Sequence, residues 1–149
     1  MPLKQLHTLH KYEQSKEKES AQELQKAEFE YQQNLERLKS VSDYRLEYMK
    51  RLNARSLEGI DSATFSHFHA FIAKLDNAAE QVDIAIVQSK AMVEKRKKQW
   101  FAQRQKIQAV ELLLDKKKKA LALIANKQEQ KMFDEIATQQ FVRRKMQAY

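Results

Sequence analysis

The residues that most often do chemistry in proteins are scarce in this sequence. It holds four histidines and no cysteine. His7 and His10 share one helical face, whereas His67 and His69 are two residues apart and lie on different faces of a helix. Without a cysteine or a well-placed carboxylate, neither pair completes a metal site, and we expect no metal and no other cofactor.

Nucleotide chemistry also lacks its usual residues. A phosphate-binding loop needs glycine where the backbone approaches the phosphate, and the chain contains a single glycine, Gly59. We therefore expect no nucleotide hydrolysis by that route and no enzymatic activity. The function must then depend on surfaces that bind other molecules.

The elements that carry these surfaces are few and long. One glycine, one proline and 32% charged residues in 149 indicate very few turns, so the chain buries seams between helices and not a deep core. The N-terminus lacks the apolar run of a signal peptide, and the longest apolar run, 120–125, is far too short to span a membrane. We expect a cytoplasmic protein.

A heptad repeat begins at Phe65 and dominates the second half of the chain. A second line, three residues further on, is apolar at both ends and polar in the middle. A period of 3.5 residues over this length is typical of a coiled-coil helix. The first line comprises Phe65, Ile72, Ala79, Ile86, Val93, Trp100, Ile107, Leu114 and Leu121.

A shorter repeat precedes it and is separated from it by the segment 57–61. Gly59 suits the end of one helix, and Asp61 or Ser62 suits the cap of the next. The sequence predicts an all-α fold in one domain: helices at about 12–56 and 62–143 form an antiparallel coiled-coil hairpin with frayed ends. The second helix is longer and projects beyond the first. The shorter repeat contains Leu24, Tyr31, Leu38 and Leu52, with Leu35 and Met49 in the adjacent line.

The short turn also predicts a register. Near the turn Phe65 faces Leu52, and far from it Trp100 faces Glu17. Beyond about residue 116 the first helix has ended, so the rest of the second helix is expected to be unpaired. This overhang carries the apolar residues Met132, Phe133 and Ile136. They form either a docking face for another protein, or a contact between two copies, or part of a frayed end.

Positive charge is concentrated in the second helix. Residues 91–119 hold ten Lys/Arg against three Asp/Glu, in a chain whose net charge is +8. Such a segment is either a solvated face or a binding site for an acidic protein, a nucleic acid or an anionic membrane. Its two densest runs are 95–98 and the four residues Lys116, Lys117, Lys118 and Lys119.

Apolar residues also occupy the edges of the seam near the turn, where coiled coils normally carry charges. This flank either thickens the core or forms a patch that binds a partner, since aromatic residues often anchor interfaces. Val41 and Tyr48 are assigned to the edge of the first helix, and Phe71 and Ala78 to that of the second. Tyr44 and Leu75 lie close to them.

Six short stretches occur in a distinctive order and spacing: 44–48, 59–60, 71–75, Trp100, 106–110 and 130–135. Together they resemble the flagellar FliJ family over about residues 12–142. The resemblance implies a non-enzymatic component of the bacterial flagellar type III protein export apparatus, folded as an antiparallel coiled coil similar to the central stalk of rotary ATPases. Arg37 and Val82 depart from the family pattern, which has an amide and a histidine there.

The resemblance also implies partners. Family members insert into the ring of the export ATPase and contact the export gate, a membrane protein, and export chaperones are further partners. The gate contact is expected on Val41, Tyr44, Tyr48, Phe71, Leu75 and Ala78. The contact with the ATPase ring is expected on Lys116, Lys117, Lys118, Lys119, Met132, Phe133 and Ile136. These partners would hold the chain at the cytoplasmic face of the inner membrane without direct membrane insertion.

The residues leave one function of another class open. A basic coiled-coil protein could bind nucleic acid through residues 95–119. Two observations disfavour direct nucleic-acid binding: Trp100 lies in the seam, where it cannot stack on a base, and the basic residues are scattered around the helix instead of forming one stripe.

Overall fold

A computed structural model describes residues 2–148, and within that range the chain is almost entirely helical and has no strand. Helix α1 spans Leu3–Glu58, 56 residues, and α2 spans Ser62–Gln147, 86 residues. The prediction of an all-α fold built from two long helices that pack against each other is confirmed. The assignment to one domain stays a prediction.

The turn between the helices uses the chemistry that the sequence indicates. Gly59 has a φ of 88°, a left-handed conformation that costs glycine little. Asp61 caps α2, because its Oδ1 accepts a hydrogen bond from the backbone N–H of Thr64 at 3.1 Å. Hydrogen bonds from Thr64 lower the pKa of Asp61 below its ordinary value of 3.8.

The chain divides into two compact units, and the larger comprises Glu17–Gln103. Within it the helices run antiparallel, because contacts pair falling residue numbers on α1 with rising numbers on α2. The predicted proximity of Trp100 and Glu17 is confirmed, since the indole N–H donates a hydrogen bond to Glu17 Oε1 at 3.0 Å. The pairs are Tyr48 with Phe71, Asn34 with Ser89, Glu23 with Arg96 and Glu17 with Trp100.

The register near the turn differs from the predicted one. Leu52 is buried with Phe68 and Ile72, whereas Phe65 is 44% exposed and its ring lies against His69. Phe65 therefore does not face Leu52 in a buried layer. Phe65 and Phe68 are both aromatic and both lie in heptad lines. The sequence therefore did not determine which of them packs against Leu52.

A polar layer interrupts the seam of this unit. Asn34 is 4% exposed, and its Nδ2 donates to Ser89 Oγ at 3.2 Å and to the carbonyl of Ala85 at 3.4 Å. The Ser89 hydroxyl donates in turn to the Ile86 carbonyl at 3.1 Å, and Arg37 Nη1 donates to Asn34 Oδ1 at 3.1 Å. The buried amide is thus satisfied by partners on both helices.

The second unit combines the start of the chain, up to Lys16, with the chain from Arg104 onward. Here α1 begins at Leu3, earlier than the predicted start at about residue 12, and its first turns are helical and not frayed. The reason is packing: Leu6 is buried with Val110 and Leu114, and Leu3 and Leu9 pack against that cluster.

Candidate functional site

Three aromatic rings of the predicted flank come together in the larger unit. The ring centroids of Tyr48 and Phe71 are 4.4 Å apart, and those of Tyr44 and Phe71 are 5.8 Å apart. We call Tyr44, Tyr48 and Phe71 the aromatic patch. Ring pairs at such distances contribute about 0.5–1.5 kcal/mol each beyond the area they bury. Tyr44 remains 48% exposed and is accessible to a partner.

The structure places Tyr48 in the seam and not at the predicted edge of the seam. The buried line of α1 contains Ala27 and Asn34 and continues through the half-buried Val41 and Tyr48. Val41 and Tyr48 therefore belong to the seam, and the edge assignment is wrong for both. The sequence offers two adjacent lines with three apolar residues each over residues 20–55, so it does not decide between them: Ala27, Val41 and Tyr48 in one, and Ala21, Leu35 and Met49 in the other. The polar layer at Asn34 brings the first of these lines into the seam.

The remaining flank residues do not all join the patch. Leu75 is half-buried and Ala78 is exposed. Next to the patch, Arg45 bridges the helices through Asp76, with Nε–Oδ1 and Nη2–Oδ2 distances of 2.6 and 3.4 Å. Sequence reasoning missed this pair, although a bidentate Arg–Asp contact fixes the local orientation even where its contribution to stability is small.

The lysine run, Lys116 to Lys119, is not uniform. Lys119 Nζ pairs with Asp115 at 3.1 Å, one helical turn earlier. Lys117 is half-buried, whereas Lys116 and Lys118 are exposed. Successive residues are ~100° apart around a helix, so the four side chains surround α2 with positive charge.

The overhang, residues 121–148, is exposed at every position. Met132, Phe133 and Ile136 are from 44% to 58% exposed, so the expectation that they lie on an unpaired stretch of helix agrees with the geometry. Sequence reasoning missed Phe141, Val142 and Met146, which are also exposed. Phe141 lies eight residues after Phe133, and that helical spacing was a usable signal.

Chemically reactive groups are not brought together in the described part of the chain. Among residues 2–148 there is no group of three or more His, Cys, Asp or Glu that could hold a metal ion. His10 Nε2 lies 3.2 Å from Glu111 Oε1, as a single pair. None of the helices in residues 2–148 is both long enough and apolar enough to cross a membrane.

These surfaces define a class of protein. A two-helix coiled coil that displays an aromatic patch, a lysine run and an apolar overhang is suited to bind other macromolecules. The family model of the flagellar FliJ protein matches residues 3–146. The chain therefore belongs to the flagellar FliJ family.

Two relatives agree with this membership. The flagellar FliJ protein of Salmonella typhi is 34% identical over 113 residues, which cover 76% of this chain and 77% of the relative. That of Escherichia coli (strain K12) is 31% identical over 113 residues, with the same shares covered. No solved structure matches the chain. Membership of this family supports the role of the chain as a component of flagellar protein export.

Proposed function

We propose that the protein is a non-enzymatic component of the bacterial flagellar type III export apparatus, with two separate contacts. The overhang and the lysine run contact the ring of the export ATPase, for which the chain acts as a coiled-coil stalk. The aromatic patch contacts the export gate. Family membership supports the setting. The aromatic patch and the lysine run belong to different compact units of the chain, which supports two partners.

The observation that carries the stalk role is the exposure of the overhang. Phe133 is 58% exposed on an isolated stretch of helix that also presents Met132 and Ile136. Apolar side chains on a lone helix gain nothing from water, so a partner that covers them supplies the missing contact. Lys116 to Lys119 directly precede this stretch and favour an acidic partner.

The aromatic patch supports the gate contact in a different way. Tyrosines at interfaces supply a large rigid area with few rotatable bonds. Tyr44 and Tyr48 are 6.2 Å apart, centroid to centroid, and Phe71 contacts both. In this proposal the chain is cytoplasmic and reaches the cytoplasmic face of the inner membrane only through its partners, with export chaperones as further ligands.

The stalk role is tested by ATP hydrolysis. The purified export ATPase is assayed with the full chain, with a chain lacking residues 120–149, and with a chain in which Met132, Phe133 and Ile136 are changed to Gln. We expect both variants to lose stimulation and the triple variant to dissociate faster from the ring. Stimulation that survives the deletion would refute the stalk role and leave the gate contact.

The gate contact is tested by changing Tyr44 and Phe71 to Ala. Tyr48 is left intact because it belongs to the seam. We expect little change in helicity by circular dichroism, weaker binding to the purified cytoplasmic part of the gate, and slower spreading in soft agar. Nuclease treatment of every sample separates these contacts from binding through nucleic acid. An equal loss of folding and binding would mean that the rings only thicken the core.

A further inference from the structure

An open apolar groove lies between the start of α1 and α2 in the smaller unit. Its walls are Leu6 and Leu9 from α1 and Leu113 and Ala120 from α2, and Lys116 and Lys117 form its rim. The groove is open to solvent and has a volume of about 500 Å³, which is room for several apolar side chains of a docked helix. No residue of the overhang contributes to its lining.

The floor of the groove is preformed. Leu6, which lines the groove, is buried together with Val110 and Leu114, so its position is fixed by the core of the unit. Leu113 behaves differently, because it is 52% exposed and does not belong to that cluster. A partner that fills the groove would cover Leu113 without rearranging the core, which keeps the cost of binding low.

The two lysines on the rim, Lys116 and Lys117, form no ion pair within residues 2–148, whereas Lys119 does. Helical geometry explains the difference, because residues three or four away are the ones that can pair. Around Lys116 and Lys117 those positions hold only Leu, Ala and Lys. The nearby acids Glu111 and Asp115 already contact His10 and Lys119.

We propose that this groove binds an acidic amphipathic helix of the export ATPase. Apolar side chains of that helix enter between Leu9 and Leu113, and carboxylates beside them pair with Lys116 and Lys117. The proposal rests on the stalk role described above and adds a second docking element to it. The overhang and the groove then hold the same partner at two points on α2.

A second copy of the chain fits this groove poorly. The chain carries a net charge of +8, so two copies bring like charges together at the rim. The exposed apolar residues Phe141 and Val142 are followed directly by Arg143, Arg144 and Lys145. Inserting that segment beside Lys116 and Lys117 would leave five cations without an anion.

The test compares residues that line the groove with residues of the same type that do not. Leu112 is 69% exposed and does not line it, so Leu112→Gln is the matched control for Leu113→Gln. Likewise Lys106→Glu, at an exposed lysine outside the lysine run and outside the groove, is the control for Lys116→Glu. Affinity of the full-length variants for the purified export ATPase is measured by surface plasmon resonance with a non-hydrolysable nucleotide.

We expect Leu113→Gln to weaken binding about fivefold, from the loss of a half-exposed leucine at an interface. Lys116→Glu should weaken it mainly at low salt, because the rim charges are screened at high salt. Both controls should bind within about twofold of the parent, the usual range for surface changes away from a contact.

A direct readout exploits the absence of cysteine. An environment-sensitive fluorophore on Leu113→Cys should shift its emission to the blue when the ATPase is added, and the same label on Leu112→Cys should not. If the parent binds and stimulates the ATPase while Leu113→Gln and its label are unaffected, the groove proposal fails and the stalk role stands. If the parent does not bind, both fail. A dimer in sedimentation that Leu113→Gln dissociates would make a second copy the occupant and overturn the proposal.

Discussion

The polar layer at Asn34 predicts two substitutions with opposite effects on stability. Asn34→Leu removes the amide, yet leaves no buried group unpaired, because Ser89 Oγ still donates to the Ile86 carbonyl and the exposed Arg37 returns to water. Three modest hydrogen bonds, worth about 0.5–1.5 kcal/mol each, are lost. Burial of leucine returns ~1.5–3 kcal/mol, and the desolvation of the amide is relieved as well.

We expect Asn34→Leu to stabilise the protein by about 1 kcal/mol, since an asparagine in a coiled-coil seam generally costs stability. Ser89→Ala should act in the other direction. It removes the 3.2 Å contact and leaves Asn34 Nδ2 with only the 3.4 Å contact to Ala85. The cost is about 1–2 kcal/mol, after allowing for the better helix propensity of alanine.

The assay is thermal and urea unfolding followed by circular dichroism, where 1 kcal/mol corresponds to roughly 2–4 °C. A second readout follows the register. Spin labels on Glu36→Cys and Asp83→Cys, both exposed, should give one narrow distance distribution in the parent and a broader one with Asn34→Leu. Asn34→Leu that destabilises the chain, or Ser89→Ala that stabilises it, would refute this account of the layer.

Three further predictions follow from single contacts. Trp100→Ala should cost about 2 kcal/mol in urea unfolding, from loss of a half-buried ring and of the bond to Glu17; unfolding equal to that of the parent would mean that the ring does not support the seam. The capping residue Asp61 has a lowered pKa in the folded chain. Its contribution to the free energy of unfolding is therefore present above pH 3.8 and is lost as the pH falls through the pKa of the folded chain. Asp61→Asn, which caps without titrating, should show a smaller dependence of the melting temperature on acid in a series from pH 6 to about 2. Changing residues 116–119 to Glu should slow association with the ATPase ring and remove its salt dependence in stopped-flow measurements, because exposed charges act mainly by steering; unchanged association rates would exclude the lysines from the encounter.

The helices and the turn were predictable because local chemistry specifies them. A heptad period needs only the order of apolar residues, and Gly59 followed by Asp61 marks a stop and a start at neighbouring positions. The start of α1 was not predictable in the same way. The polar run 11–20 suggests an end that frays, and only the packing of Leu6 against Val110, more than a hundred residues away, overcomes it.

The register and the groove depend on contacts between distant residues. Nothing local distinguishes the line through Asn34 from the line through Leu35. The choice depends on Ser89, 55 residues further along the chain, which can satisfy a buried amide. The aromatic patch was partly predictable, because the assignment of Tyr44 and Phe71 to the flank holds although the assignment of Tyr48 to the edge of the seam is wrong. The groove was not, because it depends on the packing of Leu6 against Val110 and Leu114, which no local pattern indicates.

The seam is so thin that no large side chain among residues 2–148 is fully buried. The seam therefore constrains only two positions in each heptad of a helix. Those positions need only be apolar, or polar with hydrogen-bond partners across the seam. Substitutions at the other positions change the stability of the fold little, so they are limited by the need to bind partners. Such a protein can drift far in sequence while its hairpin persists, and the positions that resist drift outside the seam would report binding and not folding.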